Sequence, residues 1–222
     1  PVDLNLTFTA PMFMDDLDLL SRPVNYMTYQ VTANDGKEHD VQLYFEAAPQ
    51  WALDLPHQES VSDTFTKGEL TYAKTGSYNQ HVLNKQGDDV RIDWGYFYMA
   101  ANKENTSSIA GNGIELRKSF LDGKTEASKT KGYDKLVLVT DLGGTKNANG
   151  HVLLGYDDLF SVQYFGENLR PYWNRKNNET ILSQFEKAEK EYPALMQKSA
   201  EFDVQLMKDA TRVGGREYAE LC

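Results

Sequence analysis

Three aspartates lie within four positions of the sequence, at Asp15, Asp16 and Asp18. Acidic residues at alternate positions bind calcium in EF-hand loops, which also need a Gly at the sixth position and a Glu at the twelfth. Neither residue occurs at those positions, so an irregular cation site is the alternative that remains. We instead expect a corner before a strand, in which Asp and Ser cap a turn and Arg22 pairs with a carboxylate.

The histidines do not stand at metal-ligand spacing from one another along the chain. They are His39, His57, His81 and His151. His57 lies near Glu59 and Ser60, although a catalytic triad assembles in space and not along the sequence. We expect exposed loop histidines, with His57 as a candidate ligand-binding residue.

Two short matches to nucleophile motifs occur. Ser128-x-x-Lys131 and Lys74-Thr75-Gly76 resemble the motifs of penicillin-recognising amidohydrolases, but they occur in the reverse order. Ser128 also lies in a Lys/Thr-rich stretch and not at the start of an apolar helix. Because GxSxG, P-loop and dinucleotide motifs are absent as well, the sequence predicts no catalytic residue and no cofactor.

Aromatic residues alternate in the segment RIDWGYFYMA. Trp94, Tyr96 and Tyr98 would share one face of a strand. Such a row can stack against a sugar, because the rings offer flat apolar surfaces and Tyr adds a polar tip. In a large sandwich, packing within the core or against another domain is the interpretation that we favour for such a row.

A second aromatic group lies at the change from strand-like to helical sequence. In GENLRPYWNR we expect Arg170 to stack on a ring, and Tyr172 and Trp173 to pack at an interface between domains. Tyr218, near the end of the chain, is a further candidate for such packing.

Composition narrows the class of protein. The 222 residues carry a net charge of −10, which argues against nucleic-acid binding, since that requires clustered Lys and Arg. There is no apolar run of the roughly 20 residues that span a bilayer. The sole cysteine, Cys222, is terminal. Because the chain opens without Met and closes within a helical pattern, we expect a fragment of a longer protein.

Period-two alternation dominates up to about residue 173, beginning with the strand-like VDLNLTFTA. Further candidate strands include DDVRIDWGYFYMAA, NGIELRKSFL and DKLVLVTDL. Asp35-Gly36 and the glycines of TDLGGTKNANG predict hairpin turns. Many short strands without intervening helices predict a mainly β domain, a large antiparallel β-sandwich over residues 1–175.

Helical periodicity replaces alternation in residues 176–222, which we predict to form a helical linker. Ile181, Phe185 and Ala188 would share one helical face. Pro193 should break or restart the helix, and Gly214-Gly215 should end its second part. The apolar stripes of these helices need a partner, which we expect to be a downstream domain.

Several long strings carry a family resemblance. FTAPMFMDDLDLLSRPVNYMTYQV, DGKEHDVQLYFEAAPQWA, GYDDLFSVQYFGENLRPYWNR and DATRVGGREYAELC resemble glutaminase A-like proteins over essentially the whole chain. The resemblance implies a supersandwich-like domain of unknown function, followed by a six-hairpin-like helical domain. It also implies a secreted, periplasmic or cell-surface parent enzyme that hydrolyses L-glutamine to glutamate and ammonia. No catalytic residue carries over to this segment.

Three hypotheses follow. The first is a non-catalytic accessory sandwich that packs against the downstream helical domain and shapes its active site. The second is a module in which the Trp94 row binds a glycan or small molecule. The third is an independent amidohydrolase, in which His57 or His151 activates a loop hydroxyl.

Overall fold

The structure, a computed structural model, describes residues 1–87, 91–130 and 132–221. The strands are β1 (Val2–Thr9), β2 (Val24–Ala33), β3 (His39–Ala47), β4 (Ser60–Lys67), β5 (Leu70–Ser77), β6 (Tyr96–Asn102), β7 (Thr106–Gly111), β8 (Lys135–Thr145), β9 (Asn147–Asp157), β10 (Val162–Tyr164) and β11 (Glu167–Leu169). The helices are α1 (Leu17–Leu20), α2 (Gly113–Leu121) and α3 (Ile181–Ala219), with short 3₁₀ helices at Pro49–Ala52 and Tyr172–Asn174. The chain is therefore mainly β with a helix at its carboxyl-terminal end, as predicted.

The strands form antiparallel sheets. The largest has six strands in the order β1-β2-β9-β6-β5-β4. A second has three strands in the order β3-β8-β7, and β10 pairs with β11. The strand β1 is thus one edge of the six-stranded sheet, and β4 is the other.

The six-stranded and three-stranded sheets pack face to face and share an apolar core. Phe97 and Met99 of β6 point into this core, and Tyr98 between them points to the opposite face of the sheet. Leu136 and Leu138 of β8 meet them from the three-stranded sheet and are completely buried. The alternation predicted for these strands is confirmed.

The opposite face of the six-stranded sheet is also covered near its centre. The ring of Phe185, in the first turns of α3, lies 5.6 Å from the ring of Tyr72 and 5.9 Å from that of Tyr98. Gly155 of β9 permits this approach, because a Cβ at that position would lie 2.8 Å from the Phe185 ring. The central strands are therefore buried on both faces.

The two predicted hairpin turns are wrong. The Asp35-Gly36 turn leads from β2 in the six-stranded sheet to β3 in the three-stranded sheet. Likewise β8 and β9, separated by Lys146, belong to different sheets. Gly143 lies inside β8 beside a bulge, with a positive φ of 60°. Turn residues show that the chain reverses, but not which sheet the next strand joins.

The segment NGIELRKSFL, predicted as a strand, forms α2. The Asn112 side chain caps this helix by accepting hydrogen bonds of 3.0 and 3.2 Å from the first turn's N–H groups. Leu116 and Phe120, four residues apart, pack against Val137 of β8. The cap and the four-residue spacing outweigh the local alternation.

The helix α3 continues through Pro193, so the predicted break there is wrong. The proline removes one backbone donor, and the helical bonds on either side hold the helix. Gly215, with φ of 83° and ψ of 179°, does interrupt it, which confirms the predicted end.

The chain divides into a compact unit, Pro1–Glu186, and a second unit that starts at Lys187. None of the described helices is both long and apolar enough to cross a membrane.

Candidate functional site

A cluster of charged and polar side chains surrounds Asp93, just before β6. The Asp93 side chain is completely buried, and its Oδ2 accepts a 2.9 Å hydrogen bond from Gln58 Nε2. Lys85 Nζ lies 3.2 Å from the same oxygen, and His81 Nδ1 lies 3.7 Å from it. A buried carboxylate needs such partners to offset the loss of hydration.

Lys85 also pairs with Asp54, so one ammonium group serves two carboxylates. The hydrogen bond from Lys85 holds the pKa of Asp54 below its usual value, and the same bond raises the pKa of Lys85. The Gln58 side-chain carbonyl accepts hydrogen bonds of 2.7 and 2.9 Å from the backbone N–H groups of Asp54 and Leu55. The cluster therefore joins two connecting segments, the one before β4 and the one between β5 and β6.

The Asp93 cluster, formed by Asp54, Gln58, His81, Lys85 and Asp93, is largely neutralised from within. Asp93 Oδ1 has no hydrogen-bond partner among the described residues, so it could accept one further hydrogen bond. Sequence reasoning missed this cluster, because its members come from positions 54 to 93 and share no motif spacing. The contacts within the cluster indicate a structural role, in which the cluster fixes the loops before β6.

An apolar cavity of about 440 Å³ opens near these loops. Trp51, in the 3₁₀ helix after β3, lies over Phe97 with a distance of 5.2 Å between ring centroids. The side chains that line the cavity are all uncharged: Phe8, Thr9, Ala10, Pro23, Asn25, Tyr26, Trp51, Phe97, Leu154, Gly155 and Tyr156. A volume of this size is typical of small-ligand sites and of pockets that receive a partner's side chain.

A third feature lies on the outer side of the three-stranded sheet. The Tyr44 hydroxyl donates a 2.9 Å hydrogen bond to Glu46, and Arg117 of α2 donates to both carboxylate oxygens of Glu46. Burial, and then the bond to Glu46, raise the pKa of Tyr44. Partial burial opposes ionisation of Glu46, but the bonds from Arg117 hold its pKa below the usual value. This is a positioned ion pair at the surface.

The aromatic row does not form the solvent-facing platform that glycan stacking requires. Trp94 is buried, and its Nε1 donates hydrogen bonds of 2.7 and 3.0 Å to the carbonyls of Asp158 and Phe160. Tyr98 is buried beside Phe185. At both of these positions the structure agrees with the packing interpretation and not with the alternative of an exposed, glycan-binding row.

Two local features explain why Trp94, Tyr96 and Tyr98 do not form one exposed row. The strand β6 begins only at Tyr96, and Gly95 before it has a φ of 80°, so Trp94 does not continue the strand's alternation. Tyr96 itself is partly exposed, with Lys74 Nζ 5.0 Å from its ring centroid. The preceding residues 88–90, included in that predicted strand, lie outside the described residues.

The acidic cluster forms the predicted corner. Asp16 caps α1, because its Oδ1 accepts a 2.9 Å hydrogen bond from the Leu19 N–H. Asp18 forms an ion pair with Arg175, near the carboxyl-terminal end of the compact unit. Across the described residues, no three or more His, Cys, Asp or Glu side chains are arranged to hold a metal ion.

The other candidates lie apart. His57 is exposed, and within the described ranges no hydrogen bond joins it to a hydroxyl. His151 lies within β9, opposite Thr28 of β2, and not in a loop. Ser128 donates a 2.6 Å hydrogen bond to Glu115 of α2. Its motif partner Lys131 lies outside the described residues, as does Cys222.

The residues proposed for packing between domains have mixed environments. Arg170 stacks as predicted, with its guanidinium 4.8 Å from the ring centroid of Phe160. Trp173 is buried, whereas Tyr172 is partly exposed with the Arg175 guanidinium over its ring at 3.9 Å. Tyr218, beyond the interruption at Gly215, is half exposed. Their role in contact with another domain stays a prediction.

Comparisons with known proteins agree with the resemblance seen in the sequence. Glutaminase A of Aspergillus oryzae (strain ATCC 42149 / RIB 40) is 25% identical over 232 residues, a match that covers 98% of this chain and 33% of that protein. The chain thus spans about a third of the length of this curated relative. A family model described as a domain of unknown function, DUF5127, matches residues 1–209. The chain therefore belongs to the DUF5127 family.

Proposed function

We propose that this chain is a non-catalytic accessory domain of a glutaminase A-like hydrolase. In this proposal the two facing sheets form a β-sandwich, and α3 forms a linker to a downstream helical domain. The sandwich packs against that domain and contributes one wall of its active site. The parent protein would convert L-glutamine to glutamate and ammonia, and would be secreted, periplasmic or attached to the cell surface.

The observation that carries this proposal is the form of the match to Glutaminase A. Nearly the whole chain takes part, yet it accounts for only 33% of the relative. A domain that recurs as a unit within a much longer protein is well suited to work beside other domains of that protein.

The polar groups of the compact unit also support a structural role. Lys85 pairs with both Asp54 and Asp93, and Glu46 accepts hydrogen bonds from Tyr44 and Arg117. A general base or nucleophile must instead be free to reach a reacting atom of the substrate.

Exposed apolar residues in the second unit favour the linker role. Phe202, Leu206 and Met207 lie on α3 with two-fifths to half of each side chain exposed, and Val213 follows with 75% exposed. Spacings of four and seven residues place Phe202, Leu206 and Val213 along one helical stripe. Such a stripe is typical of a helix that packs against a partner.

The test compares ammonia release from L-glutamine by the 222-residue chain and by the full-length polypeptide at equal molar concentration. Circular dichroism first establishes that the chain is folded. We expect ammonia release by the full-length protein and none above background by the chain. Release by the chain at a comparable rate would overturn the accessory role. An inactive full-length protein would overturn the glutaminase assignment.

A further inference from the structure

The edge strand β1 carries an apolar side that the described residues leave largely exposed. Leu4, Leu6 and Phe8 alternate with Asp3, Asn5, Thr7 and Thr9 along this strand. Alternation of this kind is typical of a strand with one buried face. Yet Leu4 is 47% exposed, Leu6 is 44% exposed and Phe8 is 70% exposed.

The strand register shows which way these side chains point. Leu4 pairs with Val31, Leu6 with Tyr29, and Phe8 with Met27 of β2. Directly opposed residues in antiparallel strands project from the same face of the sheet. The three β2 residues all belong to the core, so the apolar side of β1 extends the inner, core-facing surface.

The three-stranded sheet is too narrow to cover this extension. Its edge strand β3 packs over β2, where Val41 and Leu43 meet Tyr29 and Val31. Its other edge strand, β7, lies against β4 and β5 at the far side of the six-stranded sheet. The smaller sheet therefore ends above β2, and Leu4, Leu6 and Phe8 lie beyond it.

The apolar cavity continues this surface at the end of β1. Phe8 lines the cavity together with Trp51, which is itself 65% exposed. From Leu4 to Phe8 the row extends about 14 Å, given a rise of about 3.4 Å per residue. We call Leu4, Leu6, Phe8, Trp51 and the cavity the β1 face.

We infer that the β1 face is the docking surface for the downstream helical domain of the same polypeptide. An uncharged, apolar surface of that domain covers Leu4 and Leu6 and inserts a side chain between Phe8 and Trp51. This inference rests on the proposed function and specifies the face of the sandwich that is used. Apolar and aromatic residues without charge are typical of the core of a stable interface.

Two observations favour this occupant over a second copy of the chain. Two thirds of Glutaminase A lies outside the match, so a chain like that relative has ample sequence to cover the face. A second copy would bring another net charge of −10 to a surface without compensating basic residues in the cavity lining. A free small ligand could fill the cavity but would leave the row at Leu4 and Leu6 exposed.

Labelling of an introduced cysteine tests the inference. Leu6→Cys is made in the 222-residue chain and in the full-length polypeptide, each with Cys222→Ser, and Leu4→Cys serves as a second position. Each protein reacts with N-ethylmaleimide, and peptide mass spectrometry follows the modification of each site. Ile114→Cys on α2 is the matched control, because Ile114 is 78% exposed on a different surface.

We expect labelling at positions 4 and 6 to be at least about tenfold slower in the full-length protein, because a covered thiol reacts only after local opening. The rate at position 114 should agree between the two proteins within about twofold. Equal rates at positions 4 and 6 in the two proteins would overturn the inference. Slower labelling of the chain alone as its concentration rises would identify a second copy as the occupant and overturn it too.

The result separates this inference from the proposed function. If the chain alone releases no ammonia but positions 4 and 6 label equally fast in both proteins, the accessory role stands and this docking surface is wrong. If the chain releases ammonia and the positions are protected in the full-length protein, the docking surface stands without the accessory role.

Discussion

In a domain that stands alone, the exposed edge of a sheet should be polar and the covered edge apolar. The two edges of the six-stranded sheet show the reverse. On β4 the residues that face the smaller sheet all carry hydroxyl groups: Ser60, Ser62, Thr64 and Thr66. Beside them, Thr71 of β5 makes a 2.7 Å hydrogen bond to Ser108 of β7. The smaller sheet contacts this polar edge through β7 and covers it in part, from Ser60 to Thr64, while Thr66 is exposed.

On β1 the corresponding residues are apolar, and nothing in the described chain covers Leu4, Leu6 and Phe8 to the extent of their core neighbours. Exposed edges in monomeric proteins usually carry charged residues or other features that discourage association. The contrast shows that burial by this chain alone does not account for the pattern of β1. A partner at the β1 face does account for it.

A substitution at the centre of the core should cause the largest loss of stability, with which the losses at both edges can be compared. Leu138 of β8 is completely buried in the shared core. We expect Leu138→Ala to lower the free energy of unfolding by about 2–5 kcal/mol, because it removes buried methyl groups and leaves a cavity. Urea unfolding of the 222-residue chain measures this. A loss below about 1 kcal/mol would mean that the sheets are not tightly packed there.

Gly155→Ala should have the next largest effect, because both faces of the central strands are covered. The new Cβ would lie 2.7 Å from the Pro23 carbonyl oxygen and 2.8 Å from the Phe185 ring. We expect a loss of about 1–3 kcal/mol, from the shifts needed to relieve these contacts. Gly144→Ala is the matched control, since its Cβ would approach only an Asp40 oxygen, at 3.4 Å. Equal effects of the two substitutions would contradict the packing of Phe185 on β9.

On the covered side of the sheet, Thr71→Ala should lower the free energy of unfolding by about 1 kcal/mol, because the hydroxyl contact between β5 and β7 disappears. The same substitution at the exposed Thr66 of β4 should change stability by less than about 0.5 kcal/mol. Adding Ser108→Ala to Thr71→Ala should bring little further loss, since Ser108 has then already lost this partner. Additive effects of the two substitutions would show that the hydroxyl pair does not join the sheets.

Local sequence patterns were sufficient to predict the β content, the corner at Asp16 and the end of the helix near Gly215. They failed wherever the answer depends on distant residues. The Asp35-Gly36 turn is visible in the sequence, but the sheet that β3 joins depends on its pairing with β8, about a hundred residues later.

The same limit applies to the sites. The Asp93 cluster unites residues that the sequence separates, and Trp94 leaves the expected row because Gly95 turns the backbone before β6. The alternation of β1 predicts a strand with one buried face. It cannot reveal that the opposing sheet ends above β2, because that depends on the number of strands in each sheet.

A substitution on β1 tests directly whether the two edges of the sheet differ. In the 222-residue chain, Leu6→Ala should lower the free energy of unfolding by only about 0.5–1 kcal/mol, because much of the side chain already contacts water. Leu138→Ala is the same substitution at a covered position, so the ratio of the two losses measures how far β1 lies outside the core.

In the full-length polypeptide the loss for Leu6→Ala should rise toward that of a core residue, to about 2 kcal/mol or more, if the β1 face is covered. Ile114→Ala, at an exposed position of α2, should have the same small effect in both proteins. A loss for Leu6→Ala in the chain alone as large as that for Leu138→Ala would mean that β1 is already packed. The two edges would then not differ, and the argument for a partner at the β1 face would fail.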